Sequence, residues 1–304
     1  MKLQTFSRIL ASTILLAGLA ACDARPKSQM GNRSALSILE ALTTSGPEVS
    51  GVNDALMVSA TQAEDAKDYN RAMQFYQQLS DKYPDNLDYQ LGYADNLRRT
   101  DQVEKAISGY DAILKRSSRH VGALEGKGLA LITKGDFGTA STILETVIQL
   151  DRSRWRALNG VGLLFVAKSM PNEAISYFDA ALAAQPDHPT VLNNVGLTLA
   201  LNGDYVRAAQ TLNRASGRVK TKSLERQRID LNLALVLGLS GDTVRAEQVA
   251  GRHLNGAALQ NNLGFYAQLA GDDKLAKAYL NSALSGSSTF YERAWENLEN
   301  VRGN

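Results

Sequence analysis

Alanines recur along this chain at a fixed interval, and that interval limits what the chain can fold into. Ala72, Ala106, Ala140, Ala174 and Ala208 stand 34 residues apart, each beside apolar residues. The next equivalents, Ala246 and Ala276, follow at 38 and then 30, so together these two steps still span two periods. Such a period belongs to architectures in which one supersecondary unit is stacked many times. About seven units are predicted. The drift implies that the fifth is lengthened near Ser216–Arg226 and the sixth shortened near Arg252–Gly256, which should make this the weakest joint.

The 34 residues from Trp155 to His188 show what one unit contains. Leu158, Val161, Gly162 and Phe165 recur at three- and four-residue spacing and share the face of a first helix. Pro171 then sits where a first helical turn tolerates a missing N–H. Ala174, Phe178, Ala181 and Leu182 form the stripe of a second helix that ends near Pro186. Gly162 and its sisters Gly128, Gly196 and Gly264 permit close approach of the paired helices. Gly135-Asp136, Gly203-Asp204, Gly241-Asp242 and Gly271-Asp272 each place a glycine past one helix end and an aspartate to cap the next.

These residues resemble the tetratricopeptide (TPR) family over roughly 53–290. The family's proline after the second helix occurs only at Pro84 and Pro186, Lys127 replaces a buried aliphatic, and Ala250 and His253 depart from the sixth unit's expected pattern. The resemblance implies an all-α, right-handed α-solenoid of about seven helix hairpins over 53–288. Residues 289–304 follow, in which Tyr291, Ala294, Trp295 and Leu298 predict one capping helix over the last apolar face.

The chain begins differently. Lys2 and Arg8 precede an apolar run from Ile9 to Ala21, too short to span a bilayer but matched to a secretory signal over 1–21. The run ends in Leu19-Ala20-Ala21-Cys22, which resembles a bacterial lipobox and implies that Cys22 carries the lipid and becomes the mature N-terminus. Cys22 is the only cysteine, which leaves nothing for disulfides or thiolate metal sites. Several acyl chains, at about 0.8 kcal/mol per buried CH₂, anchor firmly. Residues 22–52 are read as a tether of small and polar residues with one apolar patch, Leu36, Ile38, Leu39 and Leu42. A flexible segment of about 30 residues reaches roughly 30 Å. The expected location is the bacterial cell envelope, facing the periplasm. Asp23 resembles an inner-membrane retention signal that does not hold in all bacteria, and the choice of membrane stays open with the outer one favoured.

Without Lys2 and Arg8, 31 basic side chains face 31 acidic ones, which argues against nucleic acid. Arg214, Arg218, Lys220, Lys222, Arg226 and Arg228 form a local exception, either a solvated helix end or a docking patch for anionic lipid heads or an acidic partner. Of the three histidines, His120 and His188 fall at unit boundaries as polar turn residues. No phosphate loop, zinc-protease motif or nucleophile elbow is present in the sequence. No catalytic residue, metal site, cofactor or small-molecule substrate is expected.

Binding remains. First helices would line a concave surface, with Leu129, Ile132, Leu163, Val166, Leu197, Leu235 and Phe265 as its apolar part. Asn159, Asn193, Asn194, Asn232, Asn261 and Asn262 would be its amide part. Asn194, Asn232 and Asn262 each stand two residues before the small residue of a first helix, so they are expected to align as a ladder for a peptide backbone, flanked by Leu197, Leu235 and Phe265. Lipobox, tether and repeats together resemble the TPR lipoproteins of the tight-adherence (Flp) pilus machinery, and more distantly the type IV pilus pilotins. That resemblance implies a non-catalytic assembly scaffold whose protein partners are pilus or secretion-complex subunits such as a secretin. The alternative is an adaptor subunit of an envelope enzyme such as a glycosyltransferase or peptidoglycan hydrolase.

Overall fold

The computed structural model describes residues 49–302, so the leader, Cys22 and most of the tether lie outside the described residues. Fifteen α-helices and no strand occur among them. They pair into seven hairpins: α1 (Val49–Asp65) with α2 (Tyr69–Lys82), α3 (Leu87–Arg99) with α4 (Val103–Arg116), α5 (Val121–Lys134) with α6 (Phe137–Leu150), α7 (Trp155–Ala167) with α8 (Pro171–Ala184), α9 (Pro189–Leu201) with α10 (Tyr205–Gly217), α11 (Leu224–Leu239) with α12 (Thr243–Ala250), and α13 (Gly256–Ala270) with α14 (Asp273–Ser285). A last helix, α15 (Glu292–Arg302), closes the series. The first hairpin starts at Val49, so 49–52 belong to helix rather than tether. The described chain divides into two compact units between Gly160 and Val161, within α7. Each is an all-α stack of hairpins.

The periodic alanines set the register of the second helices. Ala72, Ala106, Ala140, Ala174, Ala208, Ala246 and Ala276 are all buried, and in six of the seven helices the residues four and seven further on are buried with them. Tyr76 and Leu79, Tyr110 and Ile113, and Phe178 and Ala181 are examples. That spacing is one helix stripe, and each large apolar side chain in it contributes about 1.5–3 kcal/mol on burial. In α12 the same register gives Ala250 and then His253, and the helix stops at Ala250.

Glycines of the first helices receive these large side chains. A Cβ on Gly128, Gly162, Gly196 or Gly264 would stand 2.6, 2.5, 2.6 or 2.6 Å from Leu144, Phe178, Leu212 or Leu280, in each case the residue sixteen positions later. A second set faces the preceding hairpin. A Cβ on Gly92 or Gly126 would run into the ring of Tyr76 or Tyr110, and one on Gly160 would lie 2.9 Å from Leu144. First helices are therefore held from two sides, α9 most completely: every residue from Thr190 to Ala200 is buried.

The hairpin turns repeat as closely. Asp68, Asp136, Asp204, Asp242 and Asp272 each accept the backbone N–H three residues on, capping a second helix. The residue before the cap has positive φ in all seven turns: Lys67, Asp101, Gly135, Ser169, Gly203, Gly241 and Gly271. In the last helix α15, Ala294, Leu298 and Val301 are buried, and Leu298 and Val301 join one cluster with Ala267, Ala276 and Leu280.

Candidate functional site

The amide ladder is corrected by the register of the glycines. Asn194 follows Gly160 by one period, and Gly160 follows Gly126 and Gly92 at the same step. This is the register that faces the preceding hairpin, so Asn194 and Asn232 are buried, and only Asn262 keeps partial exposure. Asn262 donates to Ala258 O of its own helix at 2.9 Å. The three do not form an open row. Instead, Asn232 Nδ2 donates to Asn193 Oδ1 at 2.8 Å, and Asn297 Nδ2 donates to Asn261 Oδ1 at 2.9 Å. Buried amides are thus used across the joints between first helices and bring α9 to α11 and α13 to α15.

The apolar set is corrected for the same reason. Leu129, Ile132, Leu163, Val166, Leu197 and Leu235 are buried, and Phe265 alone is half-buried. Leu129 and Ile132 reach within 3.2 and 3.4 Å of where a Cβ on Gly160 would stand, so they fill the joint to the next first helix rather than line open space. Lys127, at a position expected to be aliphatic, pairs with Asp111 at 2.6 Å. His120 and His188 are the helix N-caps that sequence placed in turns, and His120 Nδ1 accepts from Ala123 N at 3.2 Å.

The irregular joint between repeats five and six holds a polar cluster that sequence reading missed. Asp230, almost fully buried in α11, accepts hydrogen bonds from Ser216 Oγ and from Arg226 Nε at 3.0 and 3.1 Å. His253 Nε2 lies 2.8 Å from its other oxygen, and Arg226 Nη1 donates to Ser216 O at 2.7 Å. Burial raises the carboxyl's pKa, but the hydrogen bonds from Ser216, His253 and Arg226 and the Arg226 charge outweigh it and hold the group below the usual range. The joint expected to be weakest is thus stitched by a buried carboxylate with three partners. Serine, aspartate and histidine here do not have the order of a catalytic triad, because the aspartate, not the histidine, lies between the other two. A carboxylate within the apolar run of α11 was the available signal, since a buried charge requires partners.

The basic residues of this joint do not act as one patch. Arg226 is turned inward to Asp230, while Arg214 and Arg218 share the single carboxylate of Asp187. Lys220 and Lys222 are exposed. No group of three or more potential metal ligands gathers among the described residues, and no described helix is long and apolar enough to cross a membrane.

The tetratricopeptide repeat family matches residues 63–124 and 162–219, one stretch in each compact unit. Over 109 residues the chain is 30% identical to the probable UDP-N-acetylglucosamine–peptide N-acetylglucosaminyltransferase SPINDLY of Arabidopsis thaliana, covering 36% of this chain and 12% of that protein. Among solved structures, a tetratricopeptide repeat protein from Parabacteroides merdae aligns at a TM-score of 0.53 with 17% identity, over 82% of this chain and 98% of that one. A chain of the APC/C hetero-tetramer Cut9–Hcn1 aligns at 0.57 with 14% identity, over 83% and 46%. The chain thus spans about an eighth of SPINDLY and less than half of the Cut9–Hcn1 chain. At these identities the structural likeness speaks for the fold. With seven hairpins in one register and the tetratricopeptide repeat family matched in one stretch of each unit, the described residues form an array of tetratricopeptide-type repeats.

Proposed function

We propose that this protein is a non-catalytic scaffold lipoprotein, tethered through Cys22, that holds a protein partner during assembly of an envelope machine, the Flp pilus and its secretion apparatus in particular. The observation that carries this reading is the order of parts: a lipobox at Leu19–Cys22, a polar tether, then repeat hairpins through to α15. Within the array, the partner meets the first-helix face at Asn262 and Phe265, the two members of the expected binding set that keep exposure. Affinity isolation from solubilised membranes, with the partners identified by mass spectrometry, tests it. A prepilin, secretin or secretion-ATPase subunit supports the reading, and an enzyme in their place overturns it.

The second reading, an adaptor for an envelope enzyme, draws on the similarity to a glycosyltransferase over 109 residues. Neighbouring genes separate the two: pilus and secretion components favour the first, and a glycosyltransferase or peptidoglycan hydrolase the second.

A further inference from the structure

The second helices of repeats five and six, together with the first helix α11, leave a groove of about 410 Å³ between them. Three helix faces converge there at three- to four-residue spacing: Val206, Ala209 and Asn213 of α10, Leu233 and Leu237 of α11, and Val249 of α12 with Arg252 just past its end. The floor is apolar. Val206 is 69% exposed.

The preceding junction is bridged at the equivalent positions. There, between repeats four and five, Asn202 Nδ2 donates to Asn172 Oδ1 at 2.8 Å, and Asp179 lies in the field of Arg207. The same four registers at the groove hold Ser240, Val206, Asn213 and Arg245. Ser240 Oγ turns back to Leu237 O of its own helix, so the amide bridge is replaced by an open valine. The aspartate is replaced by an uncharged amide. Arg245 keeps only the cap carboxylate Asp242, at 2.5 Å, and Arg252 is exposed with no ion-pair partner among the described residues. No carboxylate lines the groove, whereas two guanidinium groups do.

We propose that this groove docks an acidic amphipathic helix from a protein partner, with its apolar stripe on Val206, Leu233 and Leu237 and its carboxylates directed to Arg252 and Arg245. A helix fits because the groove walls are themselves helix faces two turns long, which an i, i+3/i+4, i+7 stripe matches. An acidic helix fits because Arg252 is exposed without an ion-pair partner among the described residues and no carboxylate lines the groove beside it. The site adds a second docking surface to the scaffold and does not depend on which envelope machine the scaffold serves.

The test uses the full chain against a phage-displayed library of helical peptides of about 18 residues, long enough to cover the groove walls. Two variants accompany it. Val206→Asn/Asn213→Asp/Ser240→Asn rebuilds the bridged junction, and Arg252→Glu reverses an exposed charge. Peptides that carry Asp or Glu beside an apolar helical stripe, and that bind either folded variant about tenfold more weakly, are the expected result. Selected peptides that lack acidic residues, or that bind both variants as well as the wild type, overturn the proposal. So does sedimentation showing a wild-type dimer that Arg252→Glu dissociates, because the occupant is then a second copy of this chain. Substitution of Asn262 and Phe265 leaves the peptide binding unchanged, which keeps this outcome separate from that of the first-helix face.

Discussion

Lys67 and Ser169 do in their turns what glycine does elsewhere in the chain. Their φ values of 60° and 59° stand beside 88°, 79°, 85° and 86° at Gly135, Gly203, Gly241 and Gly271. A side chain in this left-handed conformation costs about 1–2 kcal/mol, against about 0.5–1 kcal/mol for the added freedom of an unfolded glycine. Lys67→Gly and Ser169→Gly are therefore expected to stabilise by about 0.5 kcal/mol each, and Gly135→Ala to destabilise by about 1 kcal/mol. Denaturant midpoints followed by circular dichroism check both signs, and a loss of stability in either glycine variant contradicts the strain. At this scale the sequence was readable where one residue type serves one geometry: Gly135-Asp136 announced both the positive φ and the cap. Lys67 and Ser169 were not, because nothing in their identity announces the conformation that the turn imposes on them.

Among the elements, α11 concentrates what sequence reading could not supply. Its Asp230 is joined to Ser216, Arg226 and His253, which lie in three different segments and meet only because the fifth repeat is long and the sixth short. Asp230→Asn removes the charge that compensates Arg226, and the expected loss at neutral pH is about 2–3 kcal/mol, below the full cost of splitting a buried pair because Arg226 and His253 keep some solvent access. The folded-state pKa lies below the unfolded value of about 3.9. The carboxylate's stabilisation is therefore complete above that value and is lost as pH falls through the folded pKa. The gap between the denaturant midpoints of wild type and Asp230→Asn should begin to narrow as pH falls below about 4, and a gap that stays constant with pH contradicts the assignment. The first helices carry a related lesson. Gly92, Gly126 and Gly160 repeat at 34 residues in the very register of Asn194, and small residues at a fixed step mark close approach. That pattern was present in the sequence and pointed to a joint. The amides' hydrogen-bonding capacity pointed to a ladder, and packing decided the matter.

For the whole molecule, hairpin number, helix pairing and cap followed from one period, because each unit of such an array packs mainly on its neighbours and the repeat fixes both surfaces at once. The groove at Val206 and Asn213 did not follow, since it lies where the repeat pattern is broken. The anchor is a separate claim. Cys22→Ser is expected to abolish incorporation of labelled fatty acid and to leave the chain uncleaved or mislocalised, while unchanged labelling contradicts the lipobox. The scaffold claim is tested most directly by a photo-crosslinking amino acid placed at Phe265 in living cells, with adducts identified by mass spectrometry. The expected result is one dominant adduct with an envelope-assembly subunit. A folded, membrane-anchored protein that yields no adduct there above an unsubstituted control would contradict the account.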